Sequence, residues 1–125
     1  MKLACAWILG LGLVGVGYAS TLTDWSKNVP EKDRVRANPL AMDPDAVAAG
    51  AEIFQERCAS CHGADASGKG ARPSLRTDRV RGATAGELQW LLRNGSLRKG
   101  MPAWSRLPEV QRWELVRYLK ELPSE

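Results

Sequence analysis

The chain has 125 residues, with 18 Lys+Arg against 14 Asp+Glu, three Cys and one His. That length holds one small domain with extensions and excludes a multidomain enzyme. A net charge of +4 with no basic stripe gives no reason to expect nucleic acid as a partner. The lone His excludes any site that needs two within one chain, and an odd Cys count excludes a complete disulfide framework unless one Cys is removed.

In chain order, Lys2 precedes an uncharged stretch from Leu3 to Thr23, with small residues at Gly17 and Ala19. This has the form of an export signal, residues 1–19, cleaved after Ala19. The stretch is also near the length of a spanning helix, with Trp7 and Trp25 placed for the two interfaces, so a membrane anchor over 3–23 is the alternative. Gly10, Gly12, Gly15 and Gly17 dilute the run, and Lys27, Lys32, Arg34 and Arg36 follow on the exported side; both features favour cleavage. Either way the remainder is expected outside the cytoplasm, in the periplasm or on the extracytoplasmic face of the membrane. Residues 20–42 are polar, carry Pro30 and Pro39, and lack a sustained apolar period, which predicts a linker or lightly ordered arm.

Residues 43–125 read as helices joined by glycine-rich loops, an all-α class. Asp43-Pro44 is a helix start, followed by apolar positions at Val47, Gly50/Ala51, Phe54 and Cys58. The stretch HGADASGKGARPSL, with three glycines and a proline, is a loop. Thr84 and Glu87 form a capping box ahead of a helix with Leu88, Leu91 and Leu92 on its apolar face, stopped at Asn94-Gly95. Pro108 opens a last helix through Leu122, with Val110, Trp113, Val116 (with Leu115), Leu119 and Leu122 along one side.

The chemistry lies in Cys58-Ala59-Ser60-Cys61-His62, the covalent attachment signature of c-type haem. On a helical turn, positions three apart share a face, so both sulfurs can reach one porphyrin edge and the next residue can bring its imidazole to the iron. A thioredoxin-like dithiol would need a preceding strand, and a zinc knuckle would need further ligands that the chain lacks. With no second His, the sixth ligand is a different residue or an open site. Met101, in the loop Gly100-Met101-Pro102, is the candidate thioether, whereas Met42 lies just ahead of the first helix.

From about Asp43 to Leu122 the chain resembles small class I cytochromes c of bacterial type, motif by motif: Gly50 and Phe54 ahead of CASCH, then GADASGKG, Pro73 with Leu75, Asn94-Gly95, GMPAW, and LVRYL in the last helix. The resemblance implies a cytochrome c fold, three to four helices around a covalently attached haem c. Gly50 would let the first and last helices approach, with Phe54 and Tyr118 at the crossing. Pro73 would offer its carbonyl to the His62 imidazole. Leu75, Trp90, Leu91 and Trp104 would surround the ring, with Arg72, Arg76, Trp90 and Trp104 as candidates for the propionates.

His/Met ligation, by His62 and Met101, leaves no open iron position and raises the potential relative to bis-imidazole ligation. The expected function is therefore one-electron transfer in a respiratory or dehydrogenase-linked chain, with no substrate turned over. The alternatives are a haem subunit of a larger oxidoreductase, or a haem enzyme or gas sensor whose Met is displaced. From His62 to Arg106 the charge balance is +6 (nine basic, three acidic), so the expected partner is a redox protein with an acidic docking patch.

Overall fold

Residues 25–125 are described by the structure, a computed structural model, and its regular parts are helical, with no strand among them. The expected export signal over 1–19 and the alternative anchor over 3–23 lie outside the described residues. Among the described residues no helix is long and apolar enough to cross a membrane.

The chain opens on a 3-10 turn at Trp25–Asn28 and a one-turn helix, α1 (Glu31–Arg34). This part of the expected linker is ordered, because its polar groups have partners far along the chain. Asp33 is buried and accepts from Arg93 Nη2 at 3.3 Å. Arg34 pairs with the buried Glu87, and its carbonyl accepts from Thr84 Oγ1 at 2.8 Å. Asn38 Nδ2 donates to the Trp113 carbonyl at 3.0 Å. Gly86 lets the arm approach: a Cβ there would overlap the Asp33 carbonyl oxygen and stand 2.9 Å from that of Arg34.

Helix α2 (Asp45–Arg57) begins where Asp43 Oδ1 accepts from the Asp45 amide at 2.9 Å. A single turn, α3 (Ala59–His62), follows directly. Helix α4 (Asp78–Gly82), which the sequence pattern did not signal as an element, is started by Thr77, whose hydroxyl accepts from the Val80 amide at 3.3 Å. In α5 (Ala85–Asn94) both bonds of the capping box form: Thr84 Oγ1 accepts from Glu87 N at 3.1 Å, and Glu87 Oε2 from Thr84 N at 2.8 Å. A 3-10 turn at Leu97–Lys99 leads to the Met101 loop, and α6 (Glu109–Glu121) closes the chain.

The core lies where α2 crosses α6. Gly50 is the contact point, since a Cβ there would overlap the Glu114 carbonyl oxygen and stand 2.8 Å from the Tyr118 Cβ. One turn on, Phe54 is fully buried, with its ring centroid 5.2 Å from that of Tyr118. Leu88 and Leu92 of α5 join Trp113, Leu115, Val116 and Leu119 of α6 around it. The expected apolar side of α6 needs one correction. Val110 is half exposed, and the buried row runs through Arg112, one turn before Leu115 and Val116.

Candidate haem-binding site

The end of α2 delivers the first cysteine. Cys58 is both the last cap of α2 and the entry to α3, and its carbonyl accepts from the amides of Cys61 at 3.1 Å and His62 at 3.0 Å. One helical turn thus carries Cys58, Cys61 and His62, all half-buried, with both thiols free of any disulfide. Burial, and then the charge of Cys61, pushes the Cys58 thiol up to about 11. A redox dithiol needs the opposite shift. Among the described residues no three His, Cys, Asp or Glu side chains are grouped so that they could hold a metal ion.

The loop after His62 folds back to meet it. Gly63 and Gly68 both take positive φ, and Gly68 N donates to the His62 carbonyl at 2.7 Å. A Cβ on Gly68 would stand 2.7 Å from the Arg72 carbonyl oxygen and 2.9 Å from the Ser74 amide, so only glycine lets the two strands of the loop close. That closure places the Pro73 carbonyl 3.0 Å from His62 Nδ1. A carbonyl can only accept, so Nδ1 carries the proton and the Nε2 lone pair is left for a metal. Leu75 follows, half-buried against the core, its amide donating to the Ala66 carbonyl at 2.8 Å.

Met101 comes from the loop between α5 and α6. Its backbone forms a two-bond bridge with Ser96: Ser96 N to the Met101 carbonyl at 3.0 Å and Met101 N to the Ser96 carbonyl at 3.1 Å. Gly95, at the end of α5, permits this, because a Cβ there would stand 2.6 Å from the Pro102 carbonyl carbon. Trp104 N then donates to the Leu92 carbonyl at 2.8 Å. Met101 is half-buried against the core, whereas Met42 is 92% exposed. Trp90, on α5, and Trp104 are both half-buried. Arg72 Nη1 reaches the Gly100 carbonyl at 3.4 Å, joining the His62 loop to the Met101 loop. Arg76 pairs with Glu125 at 3.4 Å and Asp65 at 3.9 Å.

A groove of about 270 Å³ runs between the end of α2 and the Met101 loop, lined by Arg57, Ala103, Trp104, Arg106 and Leu107. Its walls are the residue before Cys58 and the residues just after Met101. Two thiols on one turn, an imidazole with Nε2 free, a half-buried thioether and an apolar groove edged by arginines form a donor set suited to haem. Two features were not read from the sequence: Gly68 as the residue that closes the loop, and the buried pair Gln89 and Arg112 behind the Met101 loop. The glycine-rich composition signalled the first only as loop; the helical spacing of 112, 116 and 119 could have found the second.

Residues 45–119 match the family described as cytochrome c oxidase, cbb3-type, subunit III. The cbb3-type cytochrome c oxidase subunit CcoP of Rubrivivax gelatinosus is 40% identical over 60 residues, which are 47% of this chain and 20% of that one. This chain thus spans about a fifth of that relative's length. The crystal structure of cytochrome cL from Methylophaga aminisulfidivorans MPT is similar with a TM-score of 0.60 at 24% identity, covering 70% of this chain and 59% of that one. That likeness establishes the cytochrome c fold.

Proposed function

The chain belongs to the cytochrome c family of cbb3-type oxidase subunit III, whose members carry haem c and transfer electrons, and from that membership we propose a monohaem one-electron carrier working on the extracytoplasmic side of the membrane. Cys58 and Cys61 hold haem c by two thioethers, and His62 and Met101 ligate its iron. The observation that carries this reading is the His62 Nδ1 to Pro73 carbonyl contact, which leaves Nε2 as the coordinating atom. Haem c supplies the ferric/ferrous couple when bound. Pro73 orients the imidazole and raises its basicity. The Ser96 bridge and Gly95 fix the Met101 backbone, and with His62 and Met101 both on the iron, water, oxygen and peroxide would find no open position. Leu75, Trp90 and Trp104 supply apolar wall, and Arg72 ties the two loops together.

The partner in this reading is a redox protein with an acidic patch. Lys69, Arg72, Arg98, Lys99 and Arg106 are all exposed on the two loops that carry the ligands. Surface charge of this kind steers a weak encounter, so electron transfer to the partner should slow as ionic strength rises. A second reading is favoured by the match to an oxidase subunit: the domain serves as the haem subunit of a larger membrane-bound complex, which co-purification from the native membrane tests. The ligand assignment is tested by Met101→Ala. The variant should lose the red-end Fe–S(Met) charge-transfer band of the ferric protein and bind CO when reduced. A wild-type protein already high-spin and reactive with CO or peroxide would instead mark a haem enzyme or gas sensor.

A further inference from the structure

The electron-transfer reading leaves one buried charge without a role. Arg112, near the start of α6, is only 7% exposed. An arginine stays buried only when its donors are satisfied. Arg112 Nε donates to Gln89 Oε1 at 2.7 Å, and Gln89 is itself 1% exposed. Nη1 donates to the carbonyls of Trp104 and Ser105, each at 3.3 Å, and to that of Leu107. The acceptors are thus a neutral amide and three backbone carbonyls, all three from the stretch just after Met101. Gln89 is seated in turn by Nε2, 3.5 Å from the Glu109 carbonyl.

The Ser96 bridge holds the near end of the Met101 loop and Arg112 gathers its far end. A planar guanidinium can serve several acceptors in fixed directions, which an ammonium on a flexible stem cannot do. Removing it would leave three part-buried carbonyls and the buried Gln89 amide short of a donor. The loop would relieve that by opening toward water.

We infer that Arg112, seated on Gln89, is a positioning residue that holds the stretch 102–108 in the conformation keeping Met101 on the iron, and so sets how readily Met101 yields to another ligand. This rests on Met101 being the axial ligand. An external ligand binds the ferric protein only when Met101 is off, and its apparent affinity scales with the fraction of molecules in that state. Loosening the loop raises that fraction without altering the His62 side.

The test is imidazole titration of the ferric holoprotein, followed by loss of the red-end Fe–S(Met) band. Arg112→Lys should tighten apparent imidazole binding by about tenfold or more, equivalent to about 1.4 kcal/mol. Gln89→Met, which removes one of the four acceptors, should tighten it by a smaller factor. Gly86→Ala serves as control, since it disturbs the arm and not the loop; it should lower the melting temperature while leaving imidazole affinity within about twofold of wild type. Should Arg112→Lys fail to fold, Gln89→Met decides alone. Unchanged affinity in the variants, with the wild-type band present, overturns the inference and spares the Met101 assignment. An equal gain in Gly86→Ala overturns it as well, by reducing the effect to general loss of stability. A wild-type protein without the band removes the Met101 assignment first and the inference with it.

Discussion

Adding one methyl group at position 50 should destabilise the protein by about 2–3 kcal/mol, although the same change in an exposed helix would stabilise it by about 1 kcal/mol. The Gly50→Ala Cβ would overlap the Glu114 carbonyl oxygen and stand 2.7 Å from its carbon and 2.8 Å from the Tyr118 Cβ. Carbon atoms pack at about 3.5–4.0 Å, so α2 and α6 must separate by about 1 Å. The groups that lose packing include Phe54 and Val116, both at 0% exposure. Overpacking of this kind costs about 1–3 kcal/mol, and loosening around a buried Phe adds part of the 3–5 kcal/mol that its removal would cost. The helix-propensity gain offsets about 1 kcal/mol of the total. For a domain of this size the net corresponds to a fall in melting temperature of about 10–20 °C. Thermal unfolding of the ferric holoprotein by far-UV circular dichroism measures it. Gly82→Ala is the companion, with open space around the added Cβ, and should be neutral or slightly stabilising. A Gly50→Ala protein as stable as wild type would refute the close crossing as the organising contact.

Two further predictions concern the periphery. Gly86→Ala should lift the arm off α5, because its Cβ would overlap the Asp33 carbonyl; faster tryptic cleavage at Lys32 and Arg34 is expected, and an unchanged rate would count against arm docking. Glu109 tests the sign of a pH effect. Its hydrogen bond from Arg36 holds the carboxyl below the usual carboxylate range. A folded value below the unfolded one gives stability that is present above the unfolded pKa of about 4.3 and is lost as pH falls through the folded value. Glu109→Gln should therefore flatten the acid limb of a melting-temperature profile, by less than about 1 kcal/mol because the pair is half exposed and screened. A steeper acid limb would contradict the assignment.

The turn carrying Cys58, Cys61 and His62 and the helix limits were legible because their causes are local. Thr84 and Glu87 satisfy each other's backbone within one turn, and Cys58, Cys61 and His62 lie on one turn by spacing alone. The docking of the arm was not legible, because a polar segment without periodicity is ordered here by partners fifty or more residues away, such as Arg34 with Glu87 and Asn38 with the Trp113 carbonyl. Helix α4 was missed since five residues are too few to show a period, and only the Thr77 cap marks it. On α6, hydrophobicity favoured Val110 over Arg112. The geometry chose the reverse, because Arg112 finds acceptors for its donors in the Met101 loop while Val110 faces solvent. Polar groups with distant partners are what composition and periodicity leave out.

The central claim is a haem with both axial positions filled by this chain's own side chains, cycling by one electron. A spectroelectrochemical titration of the holoprotein, following the red-end Fe–S(Met) band and the visible bands together, tests it most directly. The prediction is a single reversible transition with the slope of a one-electron couple, the band present when ferric and lost when ferrous, and no change on adding CO. A ferric spectrum without that band, high-spin and altered by CO or peroxide, would contradict it.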